Sequence, residues 1–257
     1  MNISALKKLP TATVSESRLR MYQPTQRPVR KTVVLEGSWI KGKVKITGRL
    51  GQRHADLMEI IRASAIEWGL DNGRVAILVD PYVIRKKLGG SGYYSHERMY
   101  SLLQDLRETT IEIDTPDFRG IGGLLDQAIE AKRSVRDPLT GTERFLMRID
   151  LGAMGTALLE KDLFLYYNPE PISALATGMA QAVARHVLTH KAEPNGGWKL
   201  DTLIHAIAGD IKNAPLWKAR AAIKADADGL AKCGVMLDGD RVHLASKFIP
   251  QRPGHAA

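Results

Sequence analysis

One cysteine, Cys233, is the only thiol in the chain. A single thiol excludes an intrachain disulfide and any cysteine-rich zinc centre, and zinc fingers go with it. No apolar run approaches the roughly 20 residues a membrane helix needs. At the N-terminus Lys7, Lys8 and Pro10 interrupt any apolar core of the kind a secretory signal carries. No membrane partner and a cytoplasmic location are therefore expected.

Catalytic signatures are missing too. No Gly-x-x-x-x-Gly-Lys-Ser/Thr phosphate loop occurs, and Gly120, Gly122 and Gly123 lack the strand-to-helix setting of a dinucleotide fingerprint. His186 and His190 stand four apart but have no intervening glutamate to act as a metalloprotease base, so they read as a packed or exposed pair. Asp238 and Asp240 superficially resemble a metal-binding acidic pair, yet a hairpin accounts for them better. No His-x-His cluster suggests a nicking nuclease. The expectation is a protein without enzymatic activity, cofactor or metal.

What is present is positive charge, a net +9. Such a field favours a polyanionic partner, nucleic acid ahead of anionic membrane. At 257 residues, 44 % of them hydrophobic, the chain has material for two cored domains. Residues 1–31 hold seven Lys or Arg against the single acid Glu16, with Pro10, Pro24 and Pro28 interspersed. They read as a flexible basic arm, either tracking phosphates or merely solubilising.

From Thr32 the pattern turns regular. Val33, Leu35, Val44 and Ile46 flank Lys41-Gly42 as a hairpin. Leu57, Met58, Ile61, Ala65 and Trp68 predict a helix over 51–68, stopped by Gly69. Val75–Val79 reads as a strand, and Asp80-Pro81 opens a helix that runs to Leu88 and stops at Gly89-Gly90. After the turn 91–94, Ser95 caps a helix whose inner face is Met99, Leu102, Leu103 and Leu106. Thr110–Ile113 is a strand with Arg144–Ile149 as its expected return. Between them a helix from Leu124 to Lys132 sits in a segment, 116–142, longer than a wing requires and suited to a dimer or partner contact.

A similar order recurs after residue 150. Leu163–Tyr167 reads as a strand and Ile172 to His190 as one long helix, ended by Pro194-Asn195-Gly196-Gly197. Asp201 caps a helix with Leu203, Ile204 and Ile207, broken at Gly209. A further helix runs from Ala214 or Pro215 to Lys232, burying Leu216, Ile223, Ala227 and Leu230. Val235 to Leu244 alternates around Asp238-Gly239, the strongest short hairpin signal. Helix, strand, helix, helix, hairpin, used twice, predicts an α+β chain of two tandem winged-helix domains, at 32–150 and 151–257, behind the arm.

In such a fold the last helix before the wing enters the major groove, so its outer face should be small and cationic. The second of these helices offers Lys218, Arg220, Ala221, Lys224 and Lys232, with Lys212 before it, Arg241 on the wing, and Lys247 and Arg252 beyond. Eight Lys or Arg stand against four Asp between 212 and 252. The alternative is an ordinary solvated face. The first such helix presents Ser95, His96, Glu97, Arg98, Ser101, Gln104 and Asp105, its acids weakening the phosphate attraction. Arg85, Lys86 and Lys87 precede it and lie near the backbone or in solvent.

On these stretches, Ile46-Thr47-Gly48-Arg49-Leu50 through Ala65, Asp80 to Ile113, and Arg144 through His243 with Asp201-Thr202-Leu203, the chain resembles plasmid replication initiators of the dual winged-helix type. The resemblance is particularly to the RepC initiators of IncQ-like plasmids and, more distantly, to TrfA. The resemblance implies binding of double-stranded DNA at repeated origin sites, opening of the adjacent duplex, self-association, recruitment of a host helicase or initiator, and association with nucleoid or plasmid. A winged-helix transcriptional repressor and a winged-helix protein-assembly module remain as alternatives.

Overall fold

The computed structural model describes residues 6–37, 42–89, 94–116, 118–137 and 140–245. Its first segment corrects the flexible arm. Leu9, Ala12, Val14, Leu19, Met21 and Tyr22 are all buried, enough apolar surface to order a stretch that its charge alone would leave in solvent. Strand β1 (Ala12–Thr13) pairs antiparallel with Phe164–Leu165. Helix α1 (Val14–Arg18) opens on a capping box, Thr13 accepting from Glu16 N–H and Glu16 accepting from Thr13 N–H. Two of the cations of this segment cap helix ends. Arg18 donates to the Thr189 hydroxyl at 2.8 Å and its carbonyl, and Arg20 to the Ala206 carbonyl at 2.7 Å and that of His205. A guanidinium there satisfies orphan carbonyls at the negative end of the helix dipole.

The first half comprises β2 (Lys31–Gly37), β3 (Gly42–Gly48), α2 (Gln52–Ala63), β4 (Glu67–Asp71), β5 (Arg74–Val79), α3 (Pro81–Gly89), α4 (His96–Arg107), β6 (Thr110–Thr115), β7 (Phe118–Gly123), β8 (Leu125–Arg136), β9 (Glu143–Leu151) and α5 (Ala153–Lys161). The β2–β3 pairing is as the sequence predicts, with Val44 and Ile46 alternating inward. Helix α2 ends sooner than expected, and Trp68 and Gly69 belong to β4. The reason lies at Asn72-Gly73, both at positive φ. They join β4 to β5 in a two-residue turn, and pairing with β5 and β9 draws 67–71 into a sheet. Asp80 accepts from Tyr82 N–H at the start of α3, and Ser95 accepts from Arg98 N–H at the start of α4. The inner face of α4 is the expected one, Met99, Leu102, Leu103 and Leu106 all buried, each contributing roughly 1.5–3 kcal/mol.

Two expectations for this half are overturned. Residues 125–132 lie in strand β8, not a helix, because pairing with β9 from Leu125↔Leu151 to Arg136↔Glu143 outweighs the helix propensity of their Ala, Glu and Lys. Arg144–Ile149, within β9, is not the return of β6. That return is β7, and β2-β3-β6-β7 form one antiparallel sheet while β4-β5-β9-β8 form another.

The second half holds β10 (Phe164–Leu165), α6 (Glu170–Ser173), α7 (Gly178–Leu188), β11 (Trp198–Lys199), α8 (Leu200–Ala208), α9 (Ala214–Ala225), α10 (Ala227–Lys232), β12 (Val235–Asp238) and β13 (Arg241–Leu244). The expected strand over 163–167 shrinks to β10. Both long helices expected from the sequence are broken, and one side chain stands at both breaks. Asp226, between α9 and α10, accepts from Ala176 N–H, Thr177 N–H and the Thr177 hydroxyl, and Thr177 in turn caps α7 through Ala180 N–H. Lys199, not Asp201, occupies the N-cap position of α8, and Asp201 lies in its first turn. The hairpin at 235–244 forms as read, with Asp238 opposite Arg241 across Gly239-Asp240.

The sheet of this half runs β11-β13-β12. In the first half β5 lies beside β9 and β9 beside β8. Each time, the strand before a helix pair lies next to the second strand of a later hairpin. The chain is thus α+β, built of helices and small antiparallel sheets, an arrangement consistent with a winged-helix-like fold.

Candidate nucleic-acid interface

Helix α9 follows Asn213 with Pro215 in its first turn, where a missing N–H costs nothing. It turns Ala219 and Ile223 into the core with Leu216 half-buried beside them. The opposite side carries Ala214, Ala221 and Ala225, all exposed. At 3.6 residues per turn these three fall on one line, flanked by Lys218 on one side and by Trp217 and Lys224 on the other. Short side chains along that line let the helix backbone come close to a flat partner. Lys218 is exposed and has no ion-pair partner among the described residues. Arg241, on β13, donates weakly to the Gly197 carbonyl at 3.3 Å and is otherwise open to solvent.

Two other expected contact residues have intramolecular partners. Arg220 Nε and Nη2 both donate to Asp201 of α8, Nε at 2.5 Å, and this bonding holds the Asp201 carboxyl below its usual range. Lys224 pairs with Asp240 in the hairpin turn at 2.7 Å, again holding that carboxyl low. These pairs fasten α9 to α8 on one side and to the hairpin on the other, so they orient the helix. Lys212 pairs with Asp210 at 3.3 Å on the surface, and Lys232, at the end of α10, is exposed. Lys247 and Arg252, like Lys41, lie outside the described residues.

On α4 the exposed residues are His96, Glu97, Arg98, Tyr100, Ser101, Gln104 and Arg107. His96 packs edge-on against Tyr100, Ser95 is occupied as the cap, and Gln104 donates to Glu108 at 2.9 Å. Asp105 is not part of that face as expected. It turns inward to His54 Nε2 at 3.1 Å, leaving α4 less acidic than its sequence suggests. On α3, Arg85 is half-buried and Lys86 exposed, while Lys87 pairs with Glu170 at 3.2 Å. The cleft of about 720 Å³ beside them also contains Arg53 and Arg144, but Asp56 and Asp80 neutralise those two.

Sequence reasoning passed over two features of this surface. Trp217 is 68 % exposed; its one signal is that it falls off the buried stripe of its own helix. The cations Lys132, Arg133 and Arg136 line β8, the strand whose composition suggests a helix. Arg133 pairs with Glu67, and the other two remain exposed.

No protein-family model matches the sequence, and no curated protein matches it. Among solved structures the chain resembles domains 2 and 3 of RctB, a selenomethionine derivative, with a TM-score of 0.52 at 11 % identity over 90 % of this chain and 95 % of that one. A second RctB structure of domains 2–3 gives a TM-score of 0.47 at 11 % identity over 87 % and 84 %. Among the described residues no helix is long and apolar enough to cross a membrane. At this identity the likeness is one of fold: the chain shares the architecture of RctB domains 2 and 3.

Proposed function

We propose that the chain is a sequence-specific double-stranded-DNA-binding protein of two tandem winged-helix units, acting as a plasmid replication initiator without enzymatic activity of its own. The observation that carries this reading is the outward face of α9, a line of alanines beside Lys218 and next to a hairpin bearing Arg241. Cations there neutralise phosphates, and the small side chains admit the helix to a wide groove. The recurrence of the same strand order in both halves supports two units, the first with the β6–β7 hairpin inserted between α4 and its wing, β8–β9. Fold likeness to RctB, a replication initiator, together with the resemblance to RepC-type initiators, favours initiation at repeated origin sites. Opening of adjacent duplex and recruitment of a host helicase belong to that reading.

Selection of bound duplexes from random DNA tests it. Recovery of one motif, present in tandem copies on the source replicon and bound with steep salt dependence, is the expected result. Recovery of no motif, or binding insensitive to salt, refutes it.

A further inference from the structure

Trp217 is the most exposed large apolar side chain among the described residues. It sits in the first turns of α9, one position before Lys218 and on the border of the alanine line. Its surroundings on that helix are alanines and lysines and not the apolar neighbours that would make a hydrophobic protein-docking patch. The N-terminal part of a helix lying in the major groove is the part that reaches base edges. There, the one apolar group any base pair displays is the C5-methyl of thymine. An exposed indole brought to that depth finds its largest apolar contact on such methyls.

We infer that Trp217 is a specificity-determining residue that reads thymine in the major groove by packing its indole on the C5-methyl. This rests on the reading of α9 as the helix that meets duplex DNA. The contact is apolar, so it survives salt that weakens the flanking Lys218, and it discriminates thymine from cytosine and from uracil. Ala221, one turn on, keeps the space beside the indole open.

The test compares the full-length protein with Trp217→Ala, a change on the surface that leaves the core untouched. Duplexes are selected from random DNA with both proteins, and each thymine of the wild-type motif is then replaced by uracil, which removes only the methyl. The expected result is that Trp217→Ala binds the wild-type motif about three- to tenfold more weakly. At one or two positions uracil weakens the wild type about two- to fourfold, the scale of one methyl burial, and leaves Trp217→Ala unaffected. Equal affinity of the two proteins, or equal uracil losses in both, overturns the inference. So does unchanged DNA affinity with altered self-association in sedimentation, which would assign the indole to a protein contact. Lys218→Ala separates the levels. If it weakens binding while Trp217→Ala does not, only the thymine inference fails; if neither variant matters though the wild type binds, the α9 reading fails with it.

Discussion

Arg185 of α7 meets Glu59 of α2 as a bidentate pair, Nε to Oε1 at 2.7 Å and Nη2 to Oε2 at 2.9 Å, with both side chains at most 4 % exposed. The same guanidinium reaches Asp56 at 2.6 Å and Gln52 at 2.7 Å, and Tyr167 donates its hydroxyl to Glu59. One arginine from the second half thus holds two carboxylates of the first. A parallel pair, Arg62 with Glu16, binds the N-terminal segment to the same helix. Burial alone would favour a neutral arginine, but the facing carboxylates keep its pKa well above the usual value.

Arg185→Ala leaves Glu59 buried without its cation and Asp56 with Arg53 alone, and stranding buried charge is far costlier than losing a surface pair. The expected loss is about 3–5 kcal/mol, read from urea unfolding. Because the pair joins the halves, the variant should also split a single transition into two. A loss under about 1 kcal/mol would mean that the seam relaxes and takes in water.

Arg220 and Asp201 also make a bidentate pair, but at the surface, where solvent screening leaves such a pair little to contribute to stability. If Arg220 orients α9 and does not touch phosphate, Arg220→Ala and Asp201→Ala should weaken DNA binding to a similar degree, and the double variant no further. A larger effect of Arg220→Ala alone, with a smaller salt slope, would return Arg220 to the phosphate contacts.

His186 gives a pH dependence of stability. Burial, followed by His190 and then by Arg18 and Arg20, lowers its pKa to about 4. A folded-state value below the unfolded one, about 6.5, means the unfolded chain binds the proton more tightly. Stability from this group is therefore complete above pH 6.5, declines as the pH falls below it, and levels out below about 4. The expected cost is about 1–2 kcal/mol at pH 5. In His186→Gln the decline between pH 6.5 and 4 should flatten, as measured by denaturation at stepped pH. An unchanged decline would place its origin elsewhere.

The elements legible in the sequence were those whose partners are local. Ser95 and its four-residue inner face mark α4, Asp80-Pro81 marks α3, and Asp238-Gly239 marks the last hairpin, because cap, stripe and turn each lie within one short window. Illegible were the elements decided at a distance. Residues 125–132 have a helical composition and become a strand only because β9 offers a free edge. Asp226 interrupts 214–232 because its carboxylate is engaged nearly fifty residues away in sequence, at Ala176 and Thr177. Arg18 and Arg20 look like a basic tail until the ends of α7 and α8 are in place. At the candidate site the cations are legible but their pairing is not, and it is the pairing that separates Lys218 from Arg220 and Lys224. Asn72-Gly73 was a readable turn, overshadowed by an apolar stripe that ran on past Ala63.

Lys218 and Arg241 are the two cations at the α9 face and hairpin that lack a carboxylate partner among the described residues, so their charge is available to phosphate. Replacing both by alanine removes no buried surface and breaks no ion pair among those residues, so the thermal midpoint should stay within a degree or two. Affinity for a selected duplex should fall, and the plot of log affinity against log salt should become shallower by about 1.8, or roughly 0.9 for each phosphate no longer neutralised. A weaker affinity with an unchanged slope would mean that the substitutions disturb the docking of α9 and leave its phosphate contacts intact. Unchanged affinity and slope together would remove this face from the interface and shift attention to α4 with the exposed Lys132 and Arg136 of β8, where the first half repeats the same strand order.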